Sequence, residues 1–397
     1  MDASKYIHII ENINKELMTC ELSGNIGLHA GTSGIALFLA YYDRIILKKN
    51  ELSPRVMDIL EHNIMQIDSG YRLHTICSGI SGFGWFCEHL RKIGMFKRED
   101  IEFLDDLDPY LYRQMMLNIR DGYYDYLHGA LGVGFYFLSR FNEKEVPGYL
   151  DELLFELEKS AIACENGAVK WESVLNETGE KGYNISLSHG MSSIVAFLLR
   201  LNQMNFETER VRKLLNQTVT YILDQVTYSE KSISYFPRYS KESSSDNYFS
   251  RLAWCYGDLG IANCLWRTAI ALNNKEWKNM ALKIFHHSCK RRDLYQNVIV
   301  DAGLCHGSAG VTQIFFNTYQ NTHIQEFRDT VDYWIDITIQ MAKYADGLAG
   351  YKTLHKPEHG GFVKESNLLE GISGIGLVFL SCINRNELTW DDCLLLS

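Results

Sequence analysis

A short phrase built around one glycine recurs seven times, and this repeat limits the possible folds more than any other feature of the chain. In every copy the glycine is followed by eight to twelve mostly apolar residues. The aligned glycines are Gly31, Gly79, Gly129, Gly190, Gly257, Gly307 and Gly371. Their spacing of 48 to 67 residues is typical of a protein built from repeated supersecondary units.

The apolar run after each glycine has no polar face, which predicts a buried helix. The stretches between copies are amphipathic instead, as in "RVRKLLNQTVTYILDQV", whose apolar residues fall on one side of a helix. Six similar amphipathic stretches lie near residues 4–19, 54–67, 108–120, 147–165, 275–290 and 326–344. A second glycine follows three residues after the first in six copies, and Ser193 replaces it in copy four.

Alternating buried and amphipathic helices predict an all-α fold, a double α/α toroid of seven inner and seven outer helices. An open solenoid would need polar repeats at its ends. The first and last inner segments are as apolar as the others, so a closed ring is favoured. We expect a single domain over residues 1–397, with the polar and aromatic segment 227–250 inserted as a loop or hairpin.

Composition narrows the class of protein. The formal charge of −10 argues against a nucleic-acid surface. No secretory signal and no apolar run of membrane-spanning length occur, which predicts a cytoplasmic protein. The ten cysteines are then expected to be reduced, and those that cluster are candidates for metal binding or catalysis.

The two positions before each aligned glycine vary between copies, and in a closed ring they face one shared cavity. Two residues before the glycine stand His29, Cys77, Leu127, Ser188, Cys255, Cys305 and Leu369. One residue before it stand Ala30, Ser78, His128, His189, Tyr256, His306 and Glu370. Cysteine and histidine at equivalent positions of a ring are the ligands of a zinc site.

Several sets of three metal ligands are possible from the residues alone. The order of the copies around the ring reduces the number of sets. Copies five and six are adjacent, so Cys255, Cys305 and His306 can converge, whereas Cys77 lies well round the ring. Two thiolates and one imidazole leave the fourth tetrahedral position open, as in catalytic zinc sites. Such an ion is suited to binding a further thiol and lowering its pKa from about 8.5. Buried structural cysteines are the alternative interpretation.

Three further residues are candidates for chemistry beside the metal. His189 is placed to donate or accept a proton. Asp125 precedes Gly129 by four residues and could orient that histidine or the substrate. Arg251 precedes Cys255 by four residues and could stabilise a developing enolate oxygen. By contrast, His29 and His128 are interpreted as packing or hydrogen-bonded histidines.

The motifs "AWCYGDLG" and "LCHGSAG", set on seven glycine repeats, resemble those of the lanthionine synthetase C-like family, the LanC-type lanthipeptide cyclases. The resemblance covers about residues 5–385. It implies a double seven-helix toroid and one zinc ion bound by Cys255, Cys305 and His306. It further implies that His189 is the acid/base residue and that the other active-site positions are Asp125, Arg251, Trp254 and Tyr256.

The activity that this resemblance implies is cyclisation of a dehydrated precursor peptide in bacteria. Peptide cysteine thiols would add to dehydroalanine or dehydrobutyrine, forming lanthionine or methyllanthionine thioether rings. The implied partners are that peptide, a separate dehydratase and a transporter complex that would hold the enzyme at the membrane periphery.

Three other functions are considered. Animal relatives of the family are associated with glutathione, so a thiol-binding or glutathione-adding protein is the main alternative. A glycoside hydrolase should present two carboxylates, but Glu370 and Asp125 are the only acidic residues at the ring positions. A purely structural toroid would contain no stoichiometric zinc.

Overall fold

The fold was analysed in a computed structural model, which describes residues 3–176, 178–229, 232–243, 249–356, 360–384 and 388–397. This part of the chain contains fourteen α-helices and three small antiparallel hairpins. All ten cysteines are free thiols. No helix in the described part of the chain combines the length and apolar character needed to span a bilayer.

Seven helices begin immediately after the seven aligned glycines, and most of their residues are buried. They are α2 (Thr32–Ile45), α4 (Ile80–Lys92), α6 (Ala130–Ser139), α8 (Met191–Gln203), α10 (Asp258–Ala271), α12 (Ser308–Thr322) and α14 (Ile372–Ile383). Their burial on all sides follows from the absence of a polar face in the sequence. The prediction of seven buried helices is therefore confirmed.

Seven other helices alternate with these. They are α1 (Ala3–Thr19), α3 (Pro54–Asp68), α5 (Leu104–Arg120), α7 (Val146–Ser160), α9 (Thr208–Asp224), α11 (Lys275–Ser288) and α13 (Gln325–Gln340). Helix α9 is representative, because Val211, Leu214 and Leu215 on its apolar stripe are buried while Arg212 and Lys213 are not. The one-sided patterns thus correspond to helices that bury one face.

Glycine is required before the buried helices because backbone atoms of nearby residues lie too close to leave room for a Cβ atom. A Cβ atom on Gly129 would lie 2.5 Å from the carbonyl oxygen of Tyr123 and 2.8 Å from the nitrogen of Asp125. Gly257 also has a φ of +96°, a conformation that only glycine adopts without strain. In copy four the hydroxyl of Ser193 donates to the carbonyl of Gly190 at 2.7 Å.

The chain divides into two compact units. The first contains Met1–Leu111 and Ile299–Leu395 with Ser397, and the second contains Tyr112–Val298 with Leu396. Within the first unit α14 packs against α2 and α1, so the last repeat adjoins the first. The backbone N–H of Leu369 donates to the carbonyl of His29 at 2.9 Å, joining the two phrases directly. This contact is the one that a closed order of repeats requires.

Within the second unit α8 lies between α6 and α10 and packs against α9. Two hairpins follow α7, pairing β1 (Ile162–Ala163) with β2 (Val169–Lys170) and β3 (Ser173–Val174) with β4 (Lys181–Gly182). The third hairpin pairs β5 (Thr353–Leu354) with β6 (Phe362–Val363) and belongs to the first unit.

The described parts of the predicted insertion 227–250 contain turns and bends but no helix or strand. Residues 230–231 and 244–248 of that insertion lie outside the described part of the chain. The N–H of Thr227 donates to the carbonyl of Tyr235 at 2.9 Å, so the segment doubles back on itself.

Candidate functional site

The second unit brings Asp125 and His189 together. His189 stands one residue before the glycine that begins α8, and Asp125 stands four residues before the glycine that begins α6. Nδ1 of His189 lies 2.6 Å from one carboxylate oxygen of Asp125. The other carboxylate oxygen accepts a hydrogen bond from the backbone N–H of His128 at 2.8 Å. The carboxylate is thereby fixed on both sides, and it holds the imidazole in one orientation.

This pairing determines the protonation states of Asp125 and His189. Burial by itself would lower the pKa of His189, but the charge and hydrogen bond of Asp125 outweigh it, so the pKa is raised. Burial by itself would raise the pKa of Asp125, but His189 outweighs it and the pKa is lowered. The carboxylate is therefore ionised, and His189 keeps its proton to a higher pH than an ordinary histidine does.

Tyr256 lies beside His189, with 5.8 Å between the ring centroids. The side-chain amide of the buried Asn184 donates to the Tyr256 hydroxyl oxygen at 3.4 Å. Burial raises the pKa of this hydroxyl, so it remains protonated and can itself donate. Tyr256 thus offers an O–H donor next to the imidazole.

Cys255 is held next to the phrase that carries His189. Its carbonyl oxygen accepts from the N–H of Leu187 at 3.1 Å and from the N–H of Ser188 at 3.3 Å. The neighbouring Trp254 has no exposed side-chain surface, so it supports Cys255 from the core. Arg251, at the start of the same segment, is half-buried.

The first unit contributes Cys305 and His306, which precede the glycine at the start of α12. The N–H groups of Leu304 and Cys305 both donate to the carbonyl of Leu369, at 2.9 Å each. Both candidate ligand side chains are half-buried. Cys305 is thus fixed through its N–H to the next copy of the phrase, whereas Cys255 is fixed through its carbonyl to the preceding copy.

The potential ligand atoms of Cys255, Cys305 and His306 all lie within 4.8 Å of one another. Tetrahedral zinc holds sulfur at about 2.3 Å and nitrogen at about 2.0 Å, and these bond lengths are compatible with such a grouping. The donor set fits zinc with one coordination position left open. Cys77, which the sequence also places before an aligned glycine, is not a member of the group.

Two residues near His189 were not expected from the sequence to be functional. The guanidinium carbon of Arg238 lies 5.3 Å from the ring centroid of Tyr256 and 5.0 Å from that of Tyr239. The exposed ring of His128 stacks on His189 at a centroid distance of 6.0 Å. Arg238 lies in the inserted segment, which has no repeat to align, so no sequence signal marked it.

The other ring-position residues have structural partners. His29 is buried, and its Nε2 lies 2.8 Å from the carbonyl of Cys393, in agreement with a packing role. Glu370 lies 3.2 Å from Nε2 of His355. Glu370 and Asp125, the two acids considered for a glycoside hydrolase, are therefore each paired with a histidine.

Comparison with known proteins identifies the family and the fold of the chain. The family model described as "Lanthionine synthetase C-like protein" matches residues 23–395. The nisin biosynthesis protein NisC of Lactococcus lactis subsp. lactis is 23% identical over 322 residues, which is 73% of each chain. The solved structure of a nisin cyclase superimposes with a TM-score of 0.75 at 19% identity, covering 99% of this chain and 97% of that one.

The structural match confirms the predicted fold class, an all-α toroid of the LanC type. The family match extends over nearly the whole chain and includes both cysteine motifs. The chain therefore belongs to the lanthionine synthetase C-like family.

Proposed function

We propose that this protein is a zinc-dependent lanthipeptide cyclase that adds peptide cysteine thiols to dehydroalanine or dehydrobutyrine. The observation that carries the proposal is the half-buried Asp125–His189 pair in the unit that also holds Cys255, one of three grouped zinc-type ligands. Thiol addition to an activated alkene needs a thiolate and a proton donor. The grouped ligands would hold the zinc ion that favours the thiolate, and His189 would donate the proton. Family membership and the similarity to a nisin cyclase support the same activity.

Cys255, Cys305 and His306 would hold the zinc ion. When bound, zinc supplies a positive charge and an open position that favour ionisation of an incoming thiol near neutral pH. The two cysteine ligands make the ion electron-rich, which suits a substrate thiolate that must remain nucleophilic. The protein residues around it supply orientation and the proton.

His189 would be the proton donor. Asp125 holds the Nδ1 proton, so Nε2 is the ring nitrogen left to face the substrate. As the thiolate sulfur bonds to the β-carbon, the π electrons move towards the adjacent carbonyl, and His189 delivers its Nε2 proton to the α-carbon. The Tyr256 hydroxyl and Arg251 are the donors proposed to stabilise the enolate oxygen. Binding both reacting groups of one peptide in one site adds the advantage of proximity.

The substrate would be a precursor peptide already dehydrated by a separate enzyme. That reaction must come first, because serine and threonine hydroxyls do not accept a thiol by addition. We further propose that the protein works in the bacterial cytoplasm beside that dehydratase and a transporter complex.

The test is incubation with a dehydrated, cysteine-containing peptide, followed by thiol alkylation and mass spectrometry. Ring closure leaves the mass unchanged, so loss of alkylation reports the product. We expect Cys305→Ala to lose both zinc and activity. His189→Ala should retain zinc and cyclise about 100-fold or more slowly, since general acid catalysis contributes at least that much.

Two outcomes would reject the proposal. If the reduced wild-type protein contains no zinc, the metal assignment fails. If added glutathione is joined to the peptide in place of the peptide's own cysteine, the protein is a glutathione-adding member of the family.

A further inference from the structure

A buried ion pair, Asp258–Arg291, joins the segments that surround Cys255. Asp258 is the first residue of α10 and is fully buried, and the Arg291 side chain is 5% exposed. Nη1 of Arg291 lies 3.0 Å from the Asp258 carboxylate. Asp258 follows Cys255 by three residues in the motif "WCYGD", whereas Arg291 comes from the loop after α11.

The guanidinium also fixes the beginning of the same segment. Nη2 of Arg291 donates to the carbonyl oxygen of Ser250 at 2.7 Å, and Nε donates to the side chain of Asn297 at 2.8 Å. The carbonyl of Asn297 in turn accepts from the N–H of Leu252 at 3.3 Å. The stretch 250–258, which we call the ligand segment, is therefore tied at both ends to one side chain.

The carboxylate fixes a second segment. It accepts hydrogen bonds from the backbone N–H groups of Tyr235 and Phe236, at 3.0 Å in each case. The chain then continues through Pro237 to Arg238 and Tyr239, whose side chains lie against Tyr256. The same ion pair thus fixes the positions of both the ligand segment and the inserted segment that lies against Tyr256.

Stability alone does not account for such a pair. Replacing a buried ion pair with apolar residues is often neutral or stabilising, because desolvation offsets the attraction. Here the other hydrogen bonds of the pair go to the backbone of Tyr235, Phe236 and Ser250 and to the side chain of Asn297. These partners lie in, or are hydrogen-bonded to, the segments that position Arg251, Cys255 and Tyr256.

We propose that Asp258 and Arg291 are positioning residues, which hold the ligand segment and the inserted segment in the geometry needed for metal and substrate binding. The part of the proposal that concerns metal rests on the proposed function. The part that concerns the geometry of the segments is independent of it.

The test compares Arg291→Met, Arg291→Lys and the double variant Asp258→Asn/Arg291→Met. Arg291→Met leaves a buried carboxylate without its partner, so its thermal unfolding midpoint should fall by several degrees. The double variant removes both charges, and its midpoint should return close to that of the wild type. Arg291→Lys keeps the charge without the forked geometry, so it should regain stability only in part.

Zinc affinity, measured by competition with a chelator, should behave differently from stability. All three variants should bind zinc about 10- to 100-fold more weakly, the usual effect of losing residues that orient metal ligands. Arg210→Met is the matched control, because Arg210 forms ion pairs with Asp151 and Glu158 in the same unit but contacts neither segment. It should bind zinc as the wild type does.

Hydrogen exchange of the metal-free proteins gives a readout that does not need zinc. Amides of residues 250–257 should exchange faster in the double variant, with little change in α8. The proposal is overturned if the double variant regains zinc affinity together with its midpoint, or if exchange in the ligand segment is unaltered. Absence of zinc from the wild type would reject the proposed function, and the exchange result alone would then decide the positioning role.

Discussion

At the scale of single residues, the site depends on how a carboxylate and an imidazole alter each other. Asp125 lies 2.6 Å from Nδ1 of His189, and it raises the pKa of the histidine against the opposing effect of burial. The charged and titratable groups around His189 are Asp125, His128, Cys255 and Tyr256. Of these, Asp125 makes the largest contribution that favours the protonated form.

Asp125→Asn should move the alkaline limb of the pH–rate profile to lower pH. In the wild type the raised pKa keeps His189 protonated above the ordinary value of about 6.5, and activity should fall as pH rises through the raised pKa. Without the carboxylate, burial lowers that pKa, so the acid form is lost earlier. Cyclisation rates between about pH 5 and 9 measure the shift. An unchanged limb would show that another group is the acid.

Arg238→Gln should weaken binding of the peptide more than it slows the reaction. The guanidinium of the exposed Arg238 lies 5.3 Å from the ring centroid of Tyr256, so a carbonyl or carboxylate of a substrate bound against Tyr256 would lie within its reach. A hydrogen bond to a charged group contributes about 1.5–3 kcal/mol, which corresponds to an increase in KM of roughly 10- to 100-fold. Lys241→Gln, on the same segment, is the control. A fall in kcat at constant KM would contradict this role.

At the scale of elements, the recurring unit is a glycine turn followed by a buried helix. The turn is tight because backbone atoms approach the glycine more closely than a side chain would permit. The residues just before the glycine are therefore held in register from one copy to the next. This register explains why equivalent positions in different copies carry the candidate site residues.

Gly129→Ala should destabilise the protein by about 1–3 kcal/mol, the usual cost of overpacking. The added Cβ would lie 2.5 Å from the carbonyl oxygen of Tyr123, which belongs to the backbone and cannot rotate away. Gly148→Ala is the matched control, because no atom lies within 4 Å of its Cβ position inside α7. It should stabilise the helix by about 0.5–1 kcal/mol. Chemical denaturation measures both, and equal effects would contradict the packing argument.

How much was predictable from the sequence differs between the repeats and the connections. The seven buried helices and the grouping of Cys255, Cys305 and His306 follow from aligned copies of one phrase. The contact of Arg238 with Tyr256 and the stacking of His128 on His189 do not. These depend on how an unrepeated segment folds back and on which way one side chain turns, and neither is encoded in a periodic pattern. The three short hairpins were missed for the same reason.

At the scale of the whole molecule, apolar helix packing provides the framework, and the proposed zinc ion would be an addition to it. Each compact unit has a core of side chains from its own buried helices, including Phe38 and Phe83 in the first unit and Phe137 and Phe197 in the second. Small zinc proteins lacking such a core unfold without their metal. We expect the buried apolar surface of this chain to keep it folded without the metal.

Removal of zinc with a chelator should therefore abolish cyclisation while leaving the helix content unchanged. Far-ultraviolet circular dichroism and the activity assay test this on the same sample. Adding back one equivalent of zinc should restore activity. Loss of helical signal on chelation would mean that the ion is structural.

The contact between the last repeat and the first has a consequence for synthesis of the chain. Helix α14 packs against α1 and α2, which are translated long before it. Until α14 emerges, part of their apolar surface has no native partner, and exposed surface of this kind promotes aggregation. We expect the nascent protein to need chaperone protection until α14 has emerged, since α1 and α2 cannot complete their native packing before then.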